Sequence, residues 1–239
     1  MARKTFNFAL VFFMIIAFFG CAAHQPDQCF KAEDLSGQVA PDLSNRKADN
    51  FLVLIDSSES MTKKEFFGAK SNFDIGWNLI SNMNQTIPEE LNLMGTLRIV
   101  GGPYCAFAPK STLVYGPEKY SAELFKEAME EVNFPEAVTP LGMGIKDAGN
   151  DLGYAQGSVA FILISDGENT DGDPIAMVKQ LKGMFGDQIT VYTVLVGQNS
   201  AGTALMEEIA AIGGGFATTV GSLNDAAGVA DFVQKIFLN

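Results

Sequence analysis

The distribution of apolar residues predicts a sheet buried between helices. Three segments are almost continuously apolar and rich in branched residues: FLVLI (51–55), VAFILI (159–164) and ITVYTVLV (189–196). Runs of this kind are typical of parallel strands covered on both faces. The segment LNLMGTLRI (91–99) alternates instead, so we expect one wetter face there and antiparallel pairing with STLVY (111–115) near the sheet edge. FATTV (216–220) is expected to be a weaker last strand.

Segments with helical periodicity separate these strands. In residues 139–152, Leu141, Ile145 and Ala148 recur on one face, with Thr139 expected as the N-cap and Pro140 at the first helical position. Strands alternating with helices predict an α/β fold with a doubly wound, Rossmann-like and mostly parallel sheet and helices on both faces. Ligands of such folds bind at the carboxyl ends of the strands.

The first 20 residues have the pattern of an export signal. Arg3 and Lys4 precede an apolar run from Phe8 to Phe19, which is shorter than the ~20 residues that cross a bilayer. The run ends in FFGC, which resembles the lipobox of bacterial lipoproteins, although Phe18 stands where that family usually has Leu. The resemblance implies that residues 1–20 are removed and that Cys21 becomes a lipidated N-terminus. The alternative is an ordinary cleaved signal with Cys21 either free or disulfide-bonded.

The remaining chain divides into a tether and a domain. Residues 21–48 are polar with little periodicity and are expected to be a lipidated tether, whereas residues 49–239 carry the regular pattern of one domain. Cys29 and Cys105 would mature in an oxidising compartment, so a disulfide between them is expected; two unpaired thiols are the alternative.

The net charge of the chain limits the classes of partner that it can bind. The formal net charge is −12, and loss of Arg3 and Lys4 leaves 14 basic and 28 acidic residues, a net −14. A strongly anionic surface repels phosphate backbones, so nucleic acid is not expected as a partner. The same surface attracts divalent cations.

Side-chain oxygens are concentrated where the predicted strands end. Asp56, Ser58 and Ser60 follow the first buried strand, Asp166 follows another, and Thr139 opens a helix between them. These five side chains can reach the same edge of the sheet. A set made only of hard oxygens suits Mg²⁺, with Mn²⁺ and Ca²⁺ as alternatives, rather than Zn²⁺ or Cu²⁺.

The three motifs DSSES, TPLGMGI and LISDGENTDGD resemble the metal-ion-dependent adhesion site of von Willebrand factor A (vWA) domains. The resemblance runs from about residue 50 to the C-terminus. It implies that Ser58, Ser60 and, with ligand bound, Thr139 bind the metal directly. It also implies that Asp56 and Asp166 bind directly or through water, and that a Glu or Asp of a partner protein completes the shell.

The sequence also leaves other functions open. The chain could be a structural vWA module that does not use its metal site. Ser60 and Lys63 spell the S-x-x-K of acyl-transfer enzymes, but no K-T-G element accompanies them. A Mg²⁺-dependent phosphotransferase of the haloacid dehalogenase type would need a general acid at position 58, where Ser58 cannot serve.

We therefore expect a non-enzymatic, lipid-anchored protein of the bacterial cell envelope. It would bind a protein partner through a divalent metal. The resemblance to bacterial lipoproteins implies that Ala22 after Cys21, in place of Asp, favours outer-membrane or periplasm-facing placement.

Overall fold

A six-stranded sheet forms the centre of the fold. In this computed structural model, which describes residues 30–64, 70–101, 110–132 and 138–239, the strands are β1 (Asn50–Asp56), β2 (Met94–Val100), β3 (Ser111–Lys119), β4 (Val159–Ser165), β5 (Ile189–Leu195) and β6 (Gly214–Thr219). Their order is β3-β2-β1-β4-β5-β6. Only β3 runs antiparallel to its neighbour, at the edge of the sheet. The predicted mostly parallel sheet and its antiparallel edge pair are confirmed.

Helices cover both faces of this sheet. They are α1 (Asn72–Thr86), α2 (Ala122–Glu130), α3 (Leu141–Asp151), α4 (Pro174–Phe185), α5 (Ser200–Gly213) and α6 (Gly228–Phe237). Along β1, Phe51, Val53 and Ile55 pack into a core with α1, α2 and α6. Leu52 and Leu54 point the other way, into a core with α3, α4 and α5. The alternation of side chains along a strand thus gives one sheet two cores, as a doubly wound fold requires.

Two local expectations are wrong. The strand β2 has no wetter face: only Met94 is exposed and the rest of β2 is buried, because β1 and β3 flank it and helices cover it. Thr139 is not the N-cap of α3, which begins at Leu141 with Pro140 in the N-cap position.

The described segment before β1, residues 30–49, packs against the rest of the domain and is not an extended tether. Phe30 and Leu35 are buried in the core with α1 and α6. Arg46 forms a β-bridge with Leu238, and the amide of Asn239 donates to the carbonyl of Asn45 at 2.7 Å. The packed part of the domain therefore extends back at least to Phe30 and includes residues that the sequence pattern assigned to the tether.

The membrane and cysteine predictions fall outside these ranges. The signal at 1–20, the lipidation site Cys21 and the disulfide partners Cys29 and Cys105 all lie outside the described residues. Within the described ranges, no helix combines the length and apolar character needed to cross a bilayer.

Candidate metal centre

Asp56, the last residue of β1, is fully buried at the carboxyl end of the sheet. Its Oδ1 accepts a hydrogen bond from the Ser58 amide at 2.9 Å. Its Oδ2 accepts one from the Ser165 hydroxyl at 2.7 Å, from the end of the neighbouring strand β4. Both oxygens are thus held in place by donors, and each retains a lone pair for a cation.

The hydroxyls of Ser58 and Ser60 lie side by side. Their Oγ atoms are 2.9 Å apart, close enough to contact one common ion. A short 3₁₀ turn from Glu59 to Thr62 follows β1 and folds Ser60 back over Ser58. Ser58 is fully buried and Ser60 is half-buried.

Asp166 follows β4 and has an oxygen without a partner. Its Oδ1 accepts from the Glu168 amide at 3.0 Å. Its Oδ2 is buried and accepts no hydrogen bond from the part of the chain that the structure describes. A buried, unsatisfied carboxylate oxygen is costly, so this atom is suited to receiving a cation.

The backbone beside Asp166 is fixed by the start of α5. Gly167 has a positive φ of 73°, and a Cβ on it would lie 2.3 Å from the Cα of Gly202. A Cβ on Gly202 would lie 2.1 Å from the Asp166 carbonyl oxygen. Two glycines are needed for this close approach of the two backbones, and the approach fixes the position of the Asp166 backbone relative to α5.

Thr139 is held by the loop that carries Asp166. Its amide donates to the Thr170 hydroxyl at 2.9 Å, and the Thr170 amide donates to the Thr139 carbonyl at 3.0 Å. Asn169 of the same loop accepts from the Leu141 amide at 3.2 Å. Thr139 is buried, and its hydroxyl makes no hydrogen bond with the described residues. The hydroxyl is therefore available as a ligand instead of acting as a helix cap.

Burial favours the neutral form of both carboxyls. Burial raises the pKa of Asp56 to about 7, against the opposing hydrogen bonds from Ser165 and Ser58, and the charge of Asp166 raises it further. Burial also raises the pKa of Asp166, opposed by the Glu168 amide and the Ser60 hydroxyl. Two carboxyls that resist ionisation together are the electrostatic signature of a site that a cation would relieve.

One ion pair spans the rim of the site. Lys63, just after the 3₁₀ turn, pairs with Glu168, and the side-chain Nδ2 of Asn199, the N-cap of α5, also donates to Glu168, at 3.5 Å. The charges of Glu168 and Lys63 act on Asp166 in opposite directions, the first raising its pKa and the second lowering it. This pair therefore lies close enough to influence a bound ion.

The chemistry of the cluster fits a hard divalent cation. Two carboxylates and three hydroxyls supply oxygen ligands only, as Mg²⁺ prefers. No group of three or more His, Cys, Asp or Glu side chains that could hold a metal occurs within the described ranges, so a metal at this cluster would need the hydroxyls as well as the two carboxylates.

The structure brings the five sequence-predicted metal-binding residues to one end of the sheet, and it adds three residues that the sequence pattern did not indicate. Ser165, Asn169 and Thr170 hold the ligand-bearing loops together through the hydrogen bonds given above. The only signal for them was their place beside Asp166 in ISDGENT.

Comparison with known proteins rests on structure alone. No protein-family model and no curated protein sequence matches the chain. An aerotolerance-related membrane protein from Bacteroides fragilis is 20% identical with a TM-score of 0.60, covering 78% of this chain and 98% of that one. The VWA domain of SpRpn10 is 15% identical with a TM-score of 0.51, covering 72% and 86%.

A third similar structure carries a metal. Proximal thread matrix protein 1 from the mussel byssus, with a zinc-occupied MIDAS motif, is 17% identical with a TM-score of 0.57, covering 79% of this chain and 46% of that one. Together these likenesses show that the chain has the fold of von Willebrand factor A domains.

Proposed function

We propose that this protein is a non-enzymatic binding module that holds Mg²⁺, or alternatively Mn²⁺ or Ca²⁺, and uses it to bind a partner protein. Asp56, Ser58, Ser60, Thr139 and Asp166 would hold the ion. The observation that carries the proposal is the buried Oδ2 of Asp166, which no described residue pairs, beside the fully buried Asp56. Mussel thread protein with zinc at its MIDAS motif supports a divalent ion in a fold of this kind.

The metal would supply an electrophile for a carboxylate of the partner. The chain's own residues do the rest. Ser165 and the Ser58 amide orient Asp56, and the Thr170 loop positions Thr139. Three of the five proposed ligands are neutral hydroxyls, and an octahedral ion takes six ligands, so the bound ion would keep one position for a Glu or Asp side chain.

The contacts of Ser60 and Lys63 favour this function over acyl transfer. The Ser60 hydroxyl is hydrogen-bonded to Ser58 and the Lys63 ammonium is paired with Glu168. Both groups are thereby committed to the metal-centre loops. A structural module that leaves its site unused is the second candidate, and the experiment below separates the two.

We further propose that the chain is anchored to a bacterial envelope membrane through Cys21, with Cys29 and Cys105 joined as a disulfide. The likeness to a Bacteroides membrane protein supports an envelope setting. Release of a Cys21→Ser variant from the membrane fraction would support the anchor, and a mass increase of two hydrogen atoms on reduction would support the disulfide. A Cys21→Ser variant that stays in the membrane fraction would contradict the anchor.

The function is tested by affinity capture from envelope extracts with Mg²⁺ or with chelator. We expect a partner that is retained with Mg²⁺, released by chelator and not captured by Asp166→Asn. Asp171→Asn, an exposed acid of the same loop, is the matched control and should capture normally. Capture that persists in chelator or with Asp166→Asn would contradict metal-dependent binding.

A further inference from the structure

A second concave site lies at the opposite end of the sheet. A cavity of about 500 Å³ opens at the amino ends of β1 and β2, beside the turn that follows α3. Its wall includes Asn50 and Met94, the first residues of those strands. Asp56 ends β1 at the far end, so this cavity is separate from the metal centre. Its size falls within the range of small-molecule sites, on the order of 300–1,000 Å³.

The charged groups of the wall are neutralised within the protein. Arg46 pairs with Asp49, and Asp151 accepts two hydrogen bonds from Arg98, at 2.6 and 2.9 Å. The Arg98–Asp151 pair is largely buried, with 10% and 12% of the side chains exposed. A ligand therefore meets paired charges, and the cavity selects against ions of either sign.

The wall also carries buried polar groups with unused hydrogen-bonding capacity. Thr96 is 2% exposed, and its hydroxyl makes no hydrogen bond with the described residues. The side-chain nitrogen of Asn50, itself 5% exposed, donates to the carbonyls of Gln156 and Ser158, whereas its Oδ1 accepts from no described residue. Asn50 and Thr96 both line the cavity, so these two oxygens are suited to a ligand rich in hydroxyls.

An aromatic ring stands at the mouth of the cavity. Tyr154 lines it and is 91% exposed, and Met94 beside it is 41% exposed. An exposed tyrosine ring offers a flat apolar surface with low conformational entropy, onto which the C–H face of a pyranose ring can stack.

We propose that this cavity binds a neutral carbohydrate, with one sugar ring stacked on Tyr154 and its hydroxyls paired with Thr96, Asn50 and the side chain of Gln156. A sugar matches the neutral wall, the unused amide and hydroxyl groups and the exposed ring together. A purely apolar ligand would leave Thr96 and Asn50 unpaired, and an anion or cation would find no unpaired counter-charge in the wall. The site is independent of the metal centre.

The test is saturation-transfer NMR on the full chain with four probes: glucose, galactose, N-acetylglucosamine and N,N′-diacetylchitobiose. We expect transfer to at least one sugar that chelator leaves unchanged, with affinity about tenfold weaker for Tyr154→Ala and for Thr96→Val. Met184→Ala removes an exposed side chain on α4 and is the matched control, expected to bind like the wild type. Circular dichroism verifies that each variant is folded.

No transfer to any of the four sugars would overturn the proposal. Equal affinity of the wild type and Tyr154→Ala would do so as well, because transfer would then arise elsewhere on the surface. Neither result would bear on metal binding, since the probes and variants leave the Asp56 end of the sheet untouched.

Discussion

The hydroxyl of Ser165 bridges the two acidic loops of the metal centre. It donates to Oδ2 of Asp56 at 2.7 Å and accepts the Gly167 amide at 2.9 Å, so a buried side chain at the end of β4 fixes the end of β1. Asp56, at the end of β1, and Asp166, directly after β4, are thereby held next to each other at the same edge of the sheet.

Ser165→Ala should weaken both stability and metal affinity. It leaves the buried Oδ2 of Asp56 without its donor, at a cost of about 1–3 kcal/mol in the free energy of unfolding. Denaturant titration and calorimetry measure the two effects. Thr193→Val is the control. It removes a buried hydroxyl on β5 that donates to the Met206 carbonyl at 2.9 Å, and it should lower stability without changing metal affinity. Equal metal affinity in Ser165→Ala and wild type would rule out the positioning role.

The metal should stabilise the domain more at high pH. The pKa of Asp56 is raised to about 7 and that of Asp166 is also raised, whereas unfolded aspartate titrates near ~3.9. In metal-free protein, the contribution of Asp56 to stability is complete below the unfolded pKa and is lost as the pH rises through about 7, and Asp166 acts in the same direction. Metal competes with the protons, so its stabilising effect grows over the same interval.

Thermal unfolding with and without Mg²⁺, at about pH 5 and about pH 8, checks this dependence. The increase in Tm caused by Mg²⁺ should be larger at the higher pH. An increase that is the same at both values would show that neither carboxyl exchanges its proton for the metal.

The Lys63–Glu168 pair should tune metal affinity without supplying a ligand. Lys63→Met removes a positive charge near Asp166 and should tighten Mg²⁺ binding, whereas Glu168→Gln should weaken it. Both side chains are more than one third exposed, so each change should be at most about fivefold. The exposed pair Lys126 and Glu130 on α2 provides control variants. Complete loss of binding in Glu168→Gln would instead make Glu168 a ligand.

The glycine contact at α5 should be indispensable to the site. In Gly202→Ala the new methyl group meets the Asp166 carbonyl oxygen, so we expect a loss of about 1–3 kcal/mol in stability and weaker Mg²⁺ binding. Gly183→Ala in α4 is the matched control, because its Cβ would meet nothing within 4 Å, and it should stabilise by about 0.5–1 kcal/mol. Unchanged metal affinity in a folded Gly202→Ala would disprove the coupling.

The sequence allowed the sheet and the place of the metal centre to be predicted for physical reasons. Continuous apolar runs identify parallel strands, and parallel strands bring Asp56 and Asp166 to the same edge. Hydrogen bonds between loops could not be predicted in this way. The expected cap at Thr139 failed because its backbone pairs with Thr170, a residue distant in sequence.

The N-terminal boundary escaped prediction for a related reason. Phe30 and Leu35 are isolated apolar residues in a polar segment, without periodicity. Their burial follows from contacts with the rest of the core, and the adjoining segment is fixed by the bond between Asn45 and Asn239 at the other end of the chain. The local pattern of apolar and polar residues does not indicate such contacts between residues that are distant in sequence.

The most direct test is calorimetric titration of Mg²⁺ into chelator-treated full chain, beside Asp166→Asn and the control Asp171→Asn. We expect saturable one-to-one binding by the wild type and the control, and none by Asp166→Asn, because the buried Oδ2 of Asp166, which no described residue pairs, is the proposed ligand atom. Wild-type protein that takes up no Mg²⁺ at millimolar concentration, or an Asp166→Asn variant that binds like the wild type, would contradict it.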